Sequence, residues 1–362
     1  MRFSALGDVA MTVPVLHSLV EQYPHLQITL LSRKPFEPLF EALSEKHPSR
    51  FSFIGIDFKS EYNGIGGLFK LFRRLRSTKF DGVVDLHGVL RTQFLCLCFR
   101  FCAIRIASID KGRKEKKELL RRGHSERVPL KSSFQRYREV FEKVGFPLEL
   151  TFTSLFEGEK DGRGNIQTIS TILFNGMEDQ GGKMCDKTCD KTCDKTCDKM
   201  WVGIAPFAKH EGKIYPLHLM EKVIEALHNT PNIQLFLFGG GNKEEEILNS
   251  WEQKYPNTIA LPGKLKMREE LLLMSWLDVM VSMDSANMHL ASLVNTPVIS
   301  VWGATHPVCG FYGYHQKLEN AVQVELPCRP CSVFGDKACF RKDYACLHEI
   351  KPEQIVSAVL GI

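Results

Sequence analysis

Val279-Met280-Val281-Ser282-Met283-Asp284-Ser285-Ala286-Asn287-Met288-His289-Leu290-Ala291 decides the reading of this chain. A continuous apolar run stops at an acid and a hydroxyl, and an apolar pattern of helical spacing follows. That is a buried strand running into a helix, the unit from which parallel sheets are wound. The same scheme recurs on either side. Val298-Ile299-Ser300-Val301-Trp302 is a further strand, Ile233–Phe238 is another that ends in Gly239-Gly240-Gly241, and Trp201–Ala205 precedes a helix over Leu217–Leu227. The first half repeats it with predicted strands at Gln27–Leu31, Phe51–Ile56 and Phe80–Leu86, and with a helix after Asp8. The expected fold class is therefore α/β, with two such domains in tandem.

Length supports two domains, since 362 residues exceed one ordinary core. A hydrophobic share of 44%, a charged share of 25% and a net charge of +5 describe a soluble globular chain compatible with an acidic partner such as a phosphorylated head group or a nucleotide. No signal peptide is visible, which places the protein in the cytoplasm on this reading. Phe94–Ile106 is apolar but short and carries Arg100 and Arg105, so it reads as a buried helix and not a span. A parallel domain normally opens with a buried strand, yet helical patterning begins within ten residues of Met1. Either the first strand is very short or the sequence opens inside it.

The 12 cysteines fall into separate groups. Cys96, Cys98 and Cys102 read as small core residues. Cys185, Cys189, Cys193 and Cys197 belong to a tandem Cys-Asp-Lys-Thr repeat inside Lys183–Met200, which lacks apolar periodicity and marks a linker. A metal-binding role and a tolerated repeat expansion are the two readings of it, and the second is preferred on composition. Cys328-x2-Cys331-x7-Cys339-x6-Cys346 has a spacing that could hold zinc, with reduced core thiols or a redox-labile pair as alternatives.

Chemistry concentrates where strands end. Asp284 and Ser285 are placed to cap the helix that follows, and the free amides over 285–287 with the helix dipole favour an anion such as phosphate. His289 falls one turn along the same face; a plain cap with a core histidine is the alternative. After Gly239-Gly240-Gly241, the acids Glu244 and Glu245 could hold ribose hydroxyls or be a helix-start charge cluster. Lys213, in the loop Pro206–Pro216, could neutralise a diphosphate leaving group or be a solvated lysine. Asp8 is a dipole partner at a helix start or a general base. Asp85-Leu86-His87-Gly88-Val89-Leu90-Arg91-Thr92 is another strand-end turn, followed downstream by the run Lys111-Gly112-Arg113-Lys114-Glu115-Lys116-Lys117. That run is a solvated face or a seat for an anionic acceptor, and the absence of interleaved aromatics argues against nucleic acid.

Taken in order, Arg2–Val9, Asp85–Gly88, Lys213-x-x-Pro216, Asp284-Ser285-x-x-x-His289, Trp302–Pro307 and the cysteine-bearing tail through Gln354 resemble glycosyltransferase family 9, the heptosyltransferases. The resemblance spans nearly the whole chain. It implies GT-B architecture, two Rossmann-like domains facing across a cleft: an acceptor-binding domain over residues 1–165, a linker over 166–200, and a nucleotide-sugar-binding domain over 201–362. It implies inverting transfer of heptose from an ADP-activated donor to the inner core of lipopolysaccharide, with no cofactor and no required metal. By resemblance Asp8 is the base and Lys213 contacts the donor phosphates. Asp284, Ser285, Ala286 and His289 bind diphosphate and sugar, Glu244 the ribose, and Met267 lines the adenine pocket. His87, Arg91, Arg113 and Lys114 are the expected acceptor contacts, with a lipid A–core acceptor and peripheral contact with the inner face of the cytoplasmic membrane. Three features depart from the family pattern: Ala286 stands where many members have glycine, little of the opening strand precedes Arg2, and the Cys-Asp-Lys-Thr repeat has no counterpart. A two-domain nucleotide-sugar epimerase and a non-catalytic nucleotide-sugar-binding protein are the rival readings.

Overall fold

The computed structural model describes residues 1–121, 127–158, 167–174 and 199–362, so the Cys-Asp-Lys-Thr repeat lies outside the described residues. The described chain forms two compact units. The first comprises residues 1–121, 127–155 and 308–311; the second comprises the remainder from residue 156 onward.

In the first unit, β1 (Ile28–Arg33) pairs in parallel with β2 (Phe51–Ile56), and β3 (Gly82–Asp85) pairs in parallel with β4 (Arg105–Ser108). Between β1 and β3 runs the extended segment Met1–Phe3. Arg2 N–H donates to Leu31 O at 3.1 Å, the Met1 amino group donates to Val84 O at 2.7 Å, and Leu86 N–H donates to Met1 O at 3.1 Å. Met1–Phe3 thus bridges β1 and β3 by backbone hydrogen bonds without forming a regular strand of its own. Helices cover the sheet because their apolar residues recur on one face. In Gly64–Arg76, Leu68, Leu71, Phe72 and Leu75 are buried, and Arg73, Arg74 and Arg76 gather in the last turn where the helix dipole favours cations. Phe3, Leu31, Ile56, Phe72, Leu95 and Phe99 meet in the core.

The expected helix over Phe94–Ile106 is two elements. A helix covers Leu90–Arg100, the chain turns at Ala103 with φ of 58°, and Arg105 and Ile106 enter β4. One apolar run concealed a helix end and a strand start, which periodicity cannot separate.

The second unit carries a six-stranded parallel sheet built from β5 (Met200–Ala205), β6 (Ile233–Leu237), β7 (Thr258–Ala260), β8 (Val279–Met283), β9 (Val298–Val301) and β10 (Ala321–Val322), in the order β10-β9-β8-β5-β6-β7. The strands at its centre are buried along nearly their whole length, as parallel strands covered on both faces must be. β7 and β10 are too short to register as patterns in sequence. The chain order reverses between β5 and β8, so the loops leaving their carboxyl ends diverge to leave a crevice, the usual ligand position in such sheets. The helix Gln167–Phe174 groups with this unit.

Residues 308–311 leave the second half of the sequence to join the first unit. Leu130 N–H donates to Val308 O at 2.8 Å and Ser133 N–H to Gly310 O at 3.0 Å, while Lys116 Nζ stands 4.8 Å from the centre of the Phe311 ring. Gly310, with φ of 81°, is needed there: a Cβ would lie 2.5 Å from Lys131 O. Among the described residues, no helix is long and apolar enough to cross a membrane.

Candidate active site

The crevice at the β5–β8 reversal is built around an ion pair. Lys213 ends a short 3-10 turn, Glu211–Lys213, in the loop after β5, and Asp284 is the first residue beyond β8. Lys213 Nζ lies 2.8 Å from Asp284 Oδ2, with side-chain exposures of only 15% and 6%. The same carboxylate oxygen accepts from Thr305 Oγ1 at 2.7 Å. Asp284 therefore does not cap the helix as expected, because its carboxylate is turned to Lys213 and Thr305 and fixes the lysine, leaving Ser285 as the N-cap. A buried pair held by a further hydrogen bond has one geometry, so the ammonium stands at a defined point.

Glycines allow that geometry. The Lys213 stem runs across Gly335, whose φ is 74°, and a Cβ at 335 would sit 2.7 Å from Lys213 Cγ. The loop backbone also closes on the one after β9, since Ala304 N–H donates to Gly212 O at 2.8 Å. Beneath that second loop lies Arg329, fully buried. It donates to Gly303 O at 2.6 Å, Val324 O at 2.5 Å, Thr305 O at 2.9 Å and Trp302 O at 3.2 Å. Its planar fork thereby sets the loop that carries Thr305.

Ser285 is the N-cap of the helix Ala286–Leu293, with extended backbone and no side-chain cap bond, its Oγ lying 3.3 Å from Ser282 Oγ. Ser285 and Ala286 are half-buried, and His289 is buried one turn along. The uncapped first-turn amides can accept an anion. Glu244 is committed locally: its Oε2 accepts from Gly240 N–H at 2.9 Å, closing the turn before the helix Asn242–Lys254. Met267 opens the helix Met267–Trp276 and is half-buried. In that helix burial lifts the Glu270 carboxyl to about 7.

The first unit assembles a second polar cluster. Asp8 sits in the short helix Leu6–Ala10, and its Oδ2 lies 2.6 Å from Arg2 Nη2 and accepts from Ala5 N–H at 3.1 Å. Arg2 is held in turn by Leu86 O at 2.8 Å, and Tyr137 Oη donates to Asp8 O at 3.1 Å. The Asp8 side chain keeps 30% exposure, enough for a substrate hydroxyl to reach it. His87 is buried beside it; Phe3 N–H donates to its Nδ1 at 3.4 Å, and Ser4 Oγ lies 3.4 Å from its Nε2. Burial first, then the charges of Arg2 and Lys111, pull the His87 imidazole down to about 4. It is neutral at physiological pH, and it orders the turn more than it carries charge. Asp85 shapes that turn by accepting from His87 N–H and Gly88 N–H, both at 2.9 Å.

Of the other expected acceptor contacts, Arg91 is exposed and stacks over Phe58 at 4.9 Å. Arg113 and Lys114 are exposed at the start of the helix Arg113–Arg121. Lys111 faces the Asp8 cluster: burial, then the charges of Arg2 and Arg113, lower its pKa.

Arg2, Thr305 and Lys111 lie inside the quoted motifs but have no role of their own in that reading, and Arg329 is not singled out by it at all. Arg2 opens the motif that carries Asp8, and Arg329 lies between Cys328 and Cys331. Neither position signals by spacing that it will be buried.

The tail cysteines Cys328, Cys331, Cys339 and Cys346 are free thiols lining one small hollow beside Ala304 and Tyr344. Burial raises the Cys346 thiol to about 12. Among the described residues, no group of three or more His, Cys, Asp or Glu side chains has the arrangement of a metal site.

Comparison with known proteins places this geometry. Lipopolysaccharide heptosyltransferase 3 of Escherichia coli is 26% identical over 315 residues, covering 84% of this chain and 82% of the relative. The glycosyl transferase family 9 structure from Veillonella parvula superposes with a TM-score of 0.67 at 17% identity, covering 99% of this chain and 96% of that one. The E. coli ADP-heptose lps heptosyltransferase II does so at 0.65 and 16%, covering 100% and 98%, so the fold is that of GT-B heptosyltransferases. Residues 68–339 match glycosyltransferase family 9 (heptosyltransferase), which is most of the chain, and the protein belongs to that family of glycosyltransferases.

Proposed function

We propose that this glycosyltransferase moves a heptose from ADP-heptose onto the inner core of lipopolysaccharide, with inversion and without a metal. The observation that carries the reading is the buried Lys213–Asp284 pair beside an uncapped helix start at the sheet's reversal point, a seat for a nucleoside diphosphate. The names of the relatives supply the sugar and the acceptor class.

In this mechanism the acceptor hydroxyl gives its proton to the Asp8 carboxylate as its oxygen forms the bond to the anomeric carbon. The bond from that carbon to the diphosphate breaks on the opposite face, and ADP departs with the electron pair. Lys213 and the first-turn amides of Ala286–Leu293 meet the charge that develops on it. Arg2 orients Asp8 at 2.6 Å, and Ser285 and His289 border the sugar-diphosphate. Glu244 and Met267 are assigned to the nucleoside. His87, Arg91, Arg113 and Lys114 are assigned to the acceptor, the exposed basic pair meeting phosphates at the membrane surface.

The test is release of ADP from ADP-heptose in the presence of lipid A–core acceptors. Asp8→Asn is expected to lower acceptor-dependent release by about 10²–10⁴-fold while ADP binding is retained. Full activity in that variant would overturn the base assignment. Activity lost on chelation and restored by a divalent cation would overturn the metal-free reading.

A further inference from the structure

The helices Gly64–Arg76 and Leu90–Arg100 lie side by side in the first unit, joined where the Phe72 ring meets Phe99 edge-on at 5.2 Å. In the second helix Leu95, Cys96 and Phe99 are buried against the core. Yet Leu90, Leu97 and the capping Phe101 are exposed, Leu90 and Phe101 at 84% each. At about 100° per residue these three fall within about 40° of one another, opposite the buried side, in a row about 16 Å long. A helix that is apolar on both sides belongs in an interior. This one is covered on one side only. Ile65 and Phe69, one turn apart on the first helix, are exposed as well. The Phe69 ring lies 6.0 Å from Phe72, the side chain that meets the second helix.

The same two helices carry cations and no acid. Lys70, Arg73, Arg74 and Arg76 lie on the first, Arg91 and Arg100 on the second. Arg74 is engaged by the Tyr62 hydroxyl and Arg91 by the Phe58 ring. Arg73, Arg76 and Arg100 are exposed; Arg73 follows Phe69 by one turn, and Arg100 adjoins Phe101. A second copy of this chain would set these cations against their own kind, and a neutral apolar partner would leave them unpaired. An anionic bilayer answers both features, since its headgroups pair with the cations and its acyl boundary takes the apolar row.

We propose that this face is a docking surface for an anionic lipid bilayer. The helix Leu90–Arg100 lies in the interfacial plane, with Leu90, Leu97 and Phe101 set among the headgroups and upper acyl chains. That helix begins just after the turn in which Asp85 holds the His87 and Gly88 amides, so a docked chain keeps this turn at the lipid surface. A lipid-borne acceptor then reaches the Asp8 cluster without leaving the membrane. In that purpose the proposal rests on the transferase reading; the docking itself does not.

The experiment is flotation of the 362-residue chain with vesicles of phosphatidylethanolamine and phosphatidylglycerol, and separately with vesicles of phosphatidylcholine alone. Binding to the anionic vesicles is expected, weakening as salt rises from about 0.1 to 0.5 M. Leu97→Ser with Phe101→Ser should lower the partition coefficient about tenfold or more. Arg73→Gln with Arg76→Gln should lower it about tenfold at low salt. Phe340→Ser, at an exposed position of the second unit, should change nothing. Should the Leu97 and Phe101 pair fail to fold, Ile65→Ser with Phe69→Ser reports on the same face. No binding to the anionic vesicles, or undiminished binding by these paired variants, would overturn the proposal. So would a dimer that the Leu97 and Phe101 changes dissolve, seen without vesicle binding. With acceptor dispersed in detergent, ADP release by the Leu97 and Phe101 variant should equal that of the unchanged chain. Absence of ADP release from every one of these proteins, with vesicle binding as expected, would overturn the transferase reading and leave the docking surface standing.

Discussion

Lys213 and Asp284 illustrate how much one pair of side chains holds. Replacing Lys213 by Met leaves the buried Asp284 carboxylate without its cation and with the Thr305 hydroxyl as a neutral donor, and breaking such a pair costs about 3 kcal/mol or more. Lys213→Met is therefore expected to lose stability in urea titrations and to lower ADP release by about 10²–10³-fold. Adding Asp284→Asn should restore much of the stability and none of the activity. This separates the pair's structural share from the catalytic one proposed for it. Asp284, Lys213 and Asp8 stood out in sequence as charges at a strand end, in a short polar loop and at a helix start, while the roles expected of them came from the family resemblance. Arg2 and Arg329 did not, because their importance lies in carbonyl oxygens distant in sequence, such as Leu86 O and Gly303 O. Glu244 was legible as a helix-start acid, but its bond to Gly240 is a matter of rotamer.

At the scale of elements, the loop after β9 is a structure without regular hydrogen bonding, stabilised from within. Arg329 serves carbonyls of Trp302, Gly303, Thr305 and Val324, and each would be left short of a donor in Arg329→Met. Orphaned buried acceptors cost about 1–3 kcal/mol each, so a loss of at least about 3 kcal/mol is expected in equilibrium unfolding. Arg329→Lys should recover little, because one ammonium cannot span the fork. The long apolar strands and amphipathic helices were readable because burial on one or both faces imposes a period on sequence. The split of Phe94–Ile106 into helix and strand was not, and neither were β7 and β10, which are shorter than any period that could reveal them.

For the whole molecule, the two units answer pH in opposite senses. In the first, burial holds His17 and His87 down to about 4, below the ordinary value of 6.5. The unfolded chain then binds more protons than the folded one, so stability rises as pH climbs from about 4 to 6.5. In the second, Glu270 is raised to about 7 from 4.5; the folded state binds the extra proton, and stability falls as pH climbs through that window. Calorimetry at pH 5 and pH 7.5 is expected to show the first unit's transition moving up and the second's moving down, each by roughly a few degrees. Glu270→Gln should abolish the second movement and leave the first.

The return of residues 308–311 to the first unit bears on how the gene could be divided. Cutting the message within the repeat yields two polypeptides, and the second carries a piece of the first unit's fabric: Val308 and Gly310 accept from Leu130 and Ser133. Fragments ending at residue 174 and beginning at residue 199 are therefore expected to associate when mixed, and co-purification of the two checks it.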